Sequence, residues 1–118
     1  MNYLNYLHFV FIVHIYFKSQ ILLDLYEGRG MAKKQFRSIP AIVKKFQGAI
    51  VIFKNIEKIS ELHSFPGLHY EKLKGNLNIY SSIRLNKKYR LIFREVTSDL
   101  NTGILDTLEI IEISNYYS

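Results

Sequence analysis

Arg84 and Arg90 are the first side chains in this sequence from which a chemistry can be argued. They flank Asn86-Lys87-Lys88, a polar break between two stretches, Ile79 to Leu85 and Tyr89 to Val96, in which apolar and polar residues alternate as along a strand. A two-residue loop would send the two arginines to opposite sides of the hairpin. With Asn86, Lys87 and Lys88 all in the loop, Leu85 stands opposite Tyr89 and Arg84 opposite Arg90. Only this second register gathers Ile79, Ser81, Ile83, Leu85, Tyr89, Leu91 and Phe93 on one face and leaves Tyr80, Ser82, Arg84, Arg90, Ile92 and Arg94 on the other. Like charges set opposite each other destabilise a sheet by roughly a few tenths of a kcal/mol, so the pair predicts a bound anion or a carboxylate beside it.

The location of the charge points the same way. The 118 residues carry a formal net charge of +6, and the stretch from Leu68 to Arg94 holds seven bases (Lys72, Lys74, Arg84, Lys87, Lys88, Arg90, Arg94) against one acid, Glu71. The tail from Glu95 onward has five acids and no base. A concentrated positive patch is the usual footprint of a polyanion partner. Within it, Lys72, Lys87 and Lys88 read as solvated or phosphate-positioning groups, and Glu71 as a salt-bridge partner for a neighbouring base in preference to a general base. His8, His14 and His63 are scattered and there is no cysteine, so neither a metal site nor a disulfide framework is expected. A cytoplasmic protein is the corresponding expectation.

The elements that must position these residues follow from periodicity. The apolar run Phe9 to Phe17 is broken by His14 and is shorter than the ~20 residues that span a bilayer. It has neither a basic lead nor a small-residue cleavage site, so Val10 to Phe17 reads as a buried first strand and no membrane partner is expected. Residues 1–12 are set apart as an extension, disordered or made from an early start codon. Ile21, Leu22, Leu25 and Tyr26 share a helical face that stops at Gly28-Arg29-Gly30. Lys33 to Arg37 is a basic loop. Ser38 to Asn55 is the clearest helix, with Ile39, Ile42, Val43, Phe46, Ile50 and Phe53 at spacings of three and four, Pro40 in the first turn and Gly48 in the middle. A short helical turn is expected from Ile56 to His63, and Phe65-Pro66-Gly67 marks the switch to sheet. Strands are then expected at Leu68 to Lys74, Ile79 to Leu85, Tyr89 to Val96 and Leu105 to Ser114, with turns at Gly75 to Asn78 and Asn86 to Lys88 and a polar loop from Ser98 to Gly103. The fold class is α+β: an N-terminal strand and two helices packed on one face of a twisted antiparallel sheet.

Three phrases, Gly67-Leu68-His69-Tyr70-Glu71-Lys72-Leu73-Lys74-Gly75, then Tyr80-Ser81-Ser82-Ile83-Arg84-Leu85-Asn86, then Tyr89-Arg90-Leu91-Ile92-Phe93, together resemble the HigB branch of the RelE/ParE toxin superfamily. Tyr16 to Ser19, Asp24 to Gly28 and Ile113 to Tyr117 also fit, so the likeness covers a RelE/HigB-like domain over residues 13–118. The resemblance implies a toxin of a type II toxin-antitoxin system that enters the 30S A site of the ribosome and cleaves mRNA by attack of a ribose 2′-hydroxyl on the adjacent phosphate, with no cofactor. It also implies a small helix-turn-helix antitoxin similar to HigA, through whose complex the toxin reaches operator DNA.

Under that likeness Arg90 is assigned to the scissile phosphate with Arg84 in support, because fixed guanidinium groups stabilise the negative charge that a phosphorane gains. Lys74 occupies the place of the lysine in the family's Leu-Lys-Gly phrase and is the expected base or a further phosphate clamp. Tyr116 and Tyr117 are the expected proton donors or base-stacking groups. Lys72, Tyr80, Lys87, Lys88 and Arg94 are the expected RNA-binding residues. The family commonly carries a histidine at the C-terminal end where this chain reads Asn115-Tyr116-Tyr117; tyrosine titrates near 10 and histidine near neutrality, which weakens the acid at that position. His69 is a substitute, although alternation sets it across the strand from Lys74. Two other readings stay open on the sequence: a ParE-like inhibitor of gyrase, and a decayed toxin that only binds RNA or its antitoxin.

Overall fold

The computed structural model describes residues 13–29, 40–99 and 104–115. Strand β1 (His14–Phe17) leads into helix α1 (Gln20–Glu27), helix α2 (Pro40–Asn55), a 3-10 segment (Ile59–Ser64), a 3-10 turn (Pro66–Leu68) and strand β2 (Glu71–Lys72). A further 3-10 turn (Gly75–Leu77) precedes β3 (Tyr80–Arg84), β4 (Tyr89–Asp99) and β5 (Ile104–Asn115). The five strands form one sheet in the order β1-β5-β4-β3-β2.

Helix α1 begins and ends where local chemistry dictates. The Ser19 hydroxyl accepts from Leu22 N–H at the start of α1, and Gly28 closes it in the left-handed region (φ 73°), where Arg29 N–H reaches back to Asp24 O. Gln47 of α2 donates to the carbonyls of Leu25 and Tyr26, satisfying the end of α1 from its neighbour. Ile42, Phe46, Ala49, Ile50 and Phe53 form the buried stripe of α2 and meet Ile83, Leu85, Leu91, Phe93, Leu108 and Ile110 of the sheet; the rings of Phe53 and Phe93 lie 4.8 Å apart. The helices thus cover one face, and the other face, which carries Arg84, Arg90 and Ser114, is left open among the described residues.

The α+β class, with its helices on one face, is the one expected. The hairpin register is also the expected one: Arg84 pairs with Arg90, and Leu85 N–H donates to Tyr89 O. Four details differ. β1 pairs parallel with β5, so the sheet is mixed, because β1 is joined to its neighbour through the whole of the intervening chain and not by a hairpin. β1 is an edge strand that is only half covered, with Tyr16 57% exposed, where a buried strand was expected; residues 10–12 lie outside the described residues, as do the 1–12 extension, the 33–37 loop and Ser38. The strand expected at Leu68 to Lys74 shrinks to Glu71–Lys72, since the 3-10 turn ends at His69 in the left-handed region (φ 47°), which strand geometry does not admit. Ile79 is exposed because β3 starts one residue later, leaving it in the turn and out of the core.

Candidate active site

The open face is built in rows set by the ladder. Arg84, Arg90 and Ser114 form one row; Glu71, Ser82, Ile92 and Glu112 form the next; Tyr80, Arg94, Glu109 and Tyr16 form the third. Arg90 is buried, its side chain only 8% exposed, and leans diagonally over β3, where Nη1 donates to the Ser82 hydroxyl (2.7 Å) and to the Glu71 carboxylate. Ser82, itself fully buried, leaves the room that lets a guanidinium lie across the strand. The carboxylate that the Arg84/Arg90 juxtaposition called for is therefore Glu71, half-exposed on the edge strand. Arg84 is exposed directly opposite Arg90. A guanidinium fixed by protein partners beside an exposed one is an arrangement suited to clamp a phosphate.

The turn that presents this pair is organised by Asn86, whose Oδ1 accepts from Lys88 N–H (2.8 Å) and Tyr89 N–H (2.7 Å), an Asx-type turn that holds Lys87 and Lys88 in solvent. Tyr80 is half-buried on the open face. Arg94 is on the same face but is ion-paired with Glu109, 43% exposed, so part of its charge is already met. Lys72 is not brought to this face. It pairs with Ser81 on the covered side and its ammonium sits 3.5 Å from Glu95. Lys74 is exposed, and the extended backbone there (φ −114°, ψ 167°) sets it by alternation with Lys72, across from Glu71. Asn115 stands opposite Tyr89 at the end of β5; Tyr116 and Tyr117 lie outside the described residues.

On the covered side, the Glu95 carboxylate accepts from the Tyr70 hydroxyl (2.5 Å) and from the buried Ser81 hydroxyl, and is 11% exposed. Burial, reinforced by the bond to Glu95, pushes the Tyr70 hydroxyl well above the usual tyrosine range. Tyr70 also packs on Phe93 (6.2 Å) and against His63 (5.1 Å). This cluster anchors Tyr70 and Lys72 from below, which aims Glu71, the residue between them, at Arg90. Sequence reasoning missed Glu95, although a signal was there: Leu91, Phe93 and Glu95 follow the core alternation, so Glu95 is an acid at a core position and needs donors. It also gave Ser82 no role.

Among the described residues no group of three or more His, Asp or Glu is placed to hold a metal ion, and no helix is long and apolar enough to cross a membrane. A larger cleft of about 640 Å³ lies between α2, residues 64–68 and the hairpin turn, and shares only Arg84 with the open-face rows.

Comparison with known proteins gives the family and the fold. Residues 15–108 match the family described as the RelE-like toxin HigB of type II toxin-antitoxin systems. The toxin HigB-1 of Vibrio cholerae serotype O1 is 36% identical over 86 residues, covering 68% of this chain and 81% of that protein. Among solved structures, the fold is similar to that of a YoeB/ParE toxin from Agrobacterium tumefaciens (TM-score 0.52, 21% identity, 89% of this chain and 100% of that one). It is similar also to the YoeB dimer from Staphylococcus aureus (TM-score 0.50, 23% identity, 89% and 98%).

Proposed function

Since the chain belongs to the HigB family of RelE-like toxins of type II toxin-antitoxin systems, we propose that it is a ribosome-dependent endoribonuclease whose open sheet face cleaves mRNA. The single observation that carries this is the buried Arg90 guanidinium, held by Ser82 and Glu71 with Arg84 exposed opposite it. In the reaction a 2′-hydroxyl loses its proton, its oxygen bonds to the adjacent phosphorus, and the bond from phosphorus to the 5′-oxygen breaks. The products are a 2′,3′-cyclic phosphate and a 5′-hydroxyl. Charge accumulates on the non-bridging oxygens, where Arg90 and Arg84 stabilise it.

The base must lie beside the phosphate. Glu71 meets this condition, being a carboxylate half-exposed to solvent and in contact with Arg90, and is preferred here over Lys74, which alternation sets on the other side of the strand. Lys74, exposed on the side away from Arg90, is left in this reading to contact RNA flanking the cut. Tyr116 and Tyr117 remain the proton donors to the leaving 5′-oxygen. Tyr80, Lys87 and Lys88 border the path of the RNA, Arg94 joins them when Glu109 releases it, and Lys72 acts by fixing β2. The partners are mRNA in the 30S A site and a helix-turn-helix antitoxin similar to HigA, which reaches operator DNA with the toxin bound; the compartment is the cytoplasm.

The test is cleavage of mRNA on programmed ribosomes. Wild type cuts and Arg90→Ala does not, with circular dichroism confirming that the variant folds and Arg84→Ala giving a smaller loss. An inactive wild type removes the enzyme reading. Gyrase inhibition without cleavage would assign the chain to the ParE-like mode, and binding without either activity to a decayed toxin.

A further inference from the structure

Consecutive residues of a strand point to opposite faces, yet Ile111 and Glu112 line the same cleft, of about 370 Å³, on the open face. The cause is a register shift: Ile92 pairs with Glu112 but Phe93 pairs with Ile110, so Ile111 is an extra residue in β5. Ile110 keeps its place in the core, and the bulge brings Ile111 round beside Glu112. Bulges near functional sites re-aim side chains in this way.

The cleft adjoins Arg90. Ser114, which lines it, is the ladder partner of Arg90, and Ile92, also in its lining, lies about 7 Å further along β4. Its walls are apolar, made by Ile92, Ile111, the half-buried Tyr80 and Leu77, which is 52% exposed. Lys18 and Glu112 supply charges of opposite sign to the same space. Flat apolar walls with one aromatic ring suit the face of a nucleobase. A carboxylate and an ammonium suit an edge that offers both donors and an acceptor.

Resting on the RNA-cleaving reading of the open face, we propose that this cleft holds the base next to the phosphate on Arg90 and selects guanine. Guanine presents two neighbouring N–H groups to the Glu112 carboxylate and its O6 to Lys18. Uracil presents a single N–H between two carbonyls, one of which the carboxylate repels. Glu71 and Glu109 on this face are each ion-paired with an arginine, and Glu112 is the acid that reads the base.

The experiment titrates the full chain with 3′-GMP and 3′-UMP, following amide shifts, and maps cleavage on ribosomes programmed with mRNAs that differ only by G or U at the cut. The expected result is about tenfold tighter binding of 3′-GMP and a matching cleavage bias. Glu112 is exposed, so Glu112→Gln folds, and it brings both ratios to about one. Leu77→Ser weakens both nucleotides and leaves their ratio. Equal binding of the two nucleotides by wild type, no binding of either, or an unchanged ratio in Glu112→Gln overturns the proposal. Cleavage whose site choice ignores Glu112→Gln overturns the pocket and leaves the nuclease reading standing; a persisting nucleotide ratio without any cleavage does the reverse.

Discussion

β2 is two residues long, yet each of its sides ends on a carboxylate, and the two carboxylates live in different surroundings. Below it, Glu95 is 11% exposed and takes the Tyr70 and Ser81 hydroxyls with the Lys72 ammonium nearby. Above it, Glu71 is 53% exposed and meets Arg90, which is 8% exposed. A buried charge surrounded by donors costs several kcal/mol to strand, so the Glu95 cluster has one stable arrangement. A half-exposed carboxylate on a fixed guanidinium can be exchanged for a phosphate oxygen from solvent. The difference teaches that the covered side fixes where β2 lies and the open side uses that position.

The strongest test of this division is Glu71→Gln. The amide oxygen still accepts from Arg90, so the unfolding free energy changes by less than about 1 kcal/mol, as for other half-exposed pairs. The amide cannot take the 2′-hydroxyl proton, so single-turnover cleavage on ribosomes falls by about 100-fold or more. Full cleavage by Glu71→Gln would mean that the base is elsewhere and would return Lys74 to that role.

Glu95→Gln is expected to do the opposite. Replacing the carboxylate weakens two hydroxyl donors and leaves Lys72 facing a neutral group, a loss of about 2 kcal/mol in urea unfolding. Cleavage falls only as far as β2 loosens, and the loss recovers in conditions that restore the fold. A variant as stable as wild type would show that Glu95 does not anchor the strand.

A smaller effect on the same side appears with pH. Because Tyr70 holds its proton in the folded chain to higher pH than a free tyrosine does, its contribution is complete below the unfolded value near 10. As pH rises past 10 the unfolded chain releases that proton and the folded chain does not, so stability falls, by well under the limiting ~1.4 kcal/mol per pH unit because the group is only half-buried. Unfolding curves of wild type and Tyr70→Phe should therefore converge between about pH 10 and 11. A constant gap across that range would show that Tyr70 titrates alike in both states.

The hairpin register, the two-faced character of β3 and β4 and the stripe of α2 were legible because each rests on local periodicity: Leu85, Leu91 and Phe93 had one consistent side to face. Glu71 was legible as a partner for a base but not as the partner of Arg90, since that contact runs diagonally across β3 through Ser82. The parallel pairing of β1 joins residues about ninety positions apart, His14 with Thr107, and nothing in the intervening pattern encodes it. The bulge at Ile111 was hidden for a related reason: Ile110-Ile111 reads as an unbroken apolar run, and only the opposing strand reveals that one of the two is supernumerary.

Gly48 separates both sides of β2 from general stability. It sits exposed in the middle of α2, and a methyl group added there meets nothing within 4 Å. Alanine in an open helix interior is favoured over glycine by about 0.8–1 kcal/mol, mostly because the unfolded glycine has more backbone freedom to lose. Gly48→Ala is therefore expected to raise the unfolding midpoint by a few degrees, as about 1 kcal/mol does in a chain of this size. It touches neither Glu71 nor Glu95, so it adds to Glu71→Gln without changing its activity loss and offsets part of the stability lost in Glu95→Gln. Thermal unfolding of the double variant Gly48→Ala/Glu95→Gln, set beside ribosome cleavage, reads both. If Gly48→Ala also restores cleavage to Glu95→Gln in proportion to the stability regained, Glu95 acts on the open face only through the fold; if stability returns and cleavage does not, Glu95 sets the position of Glu71 directly.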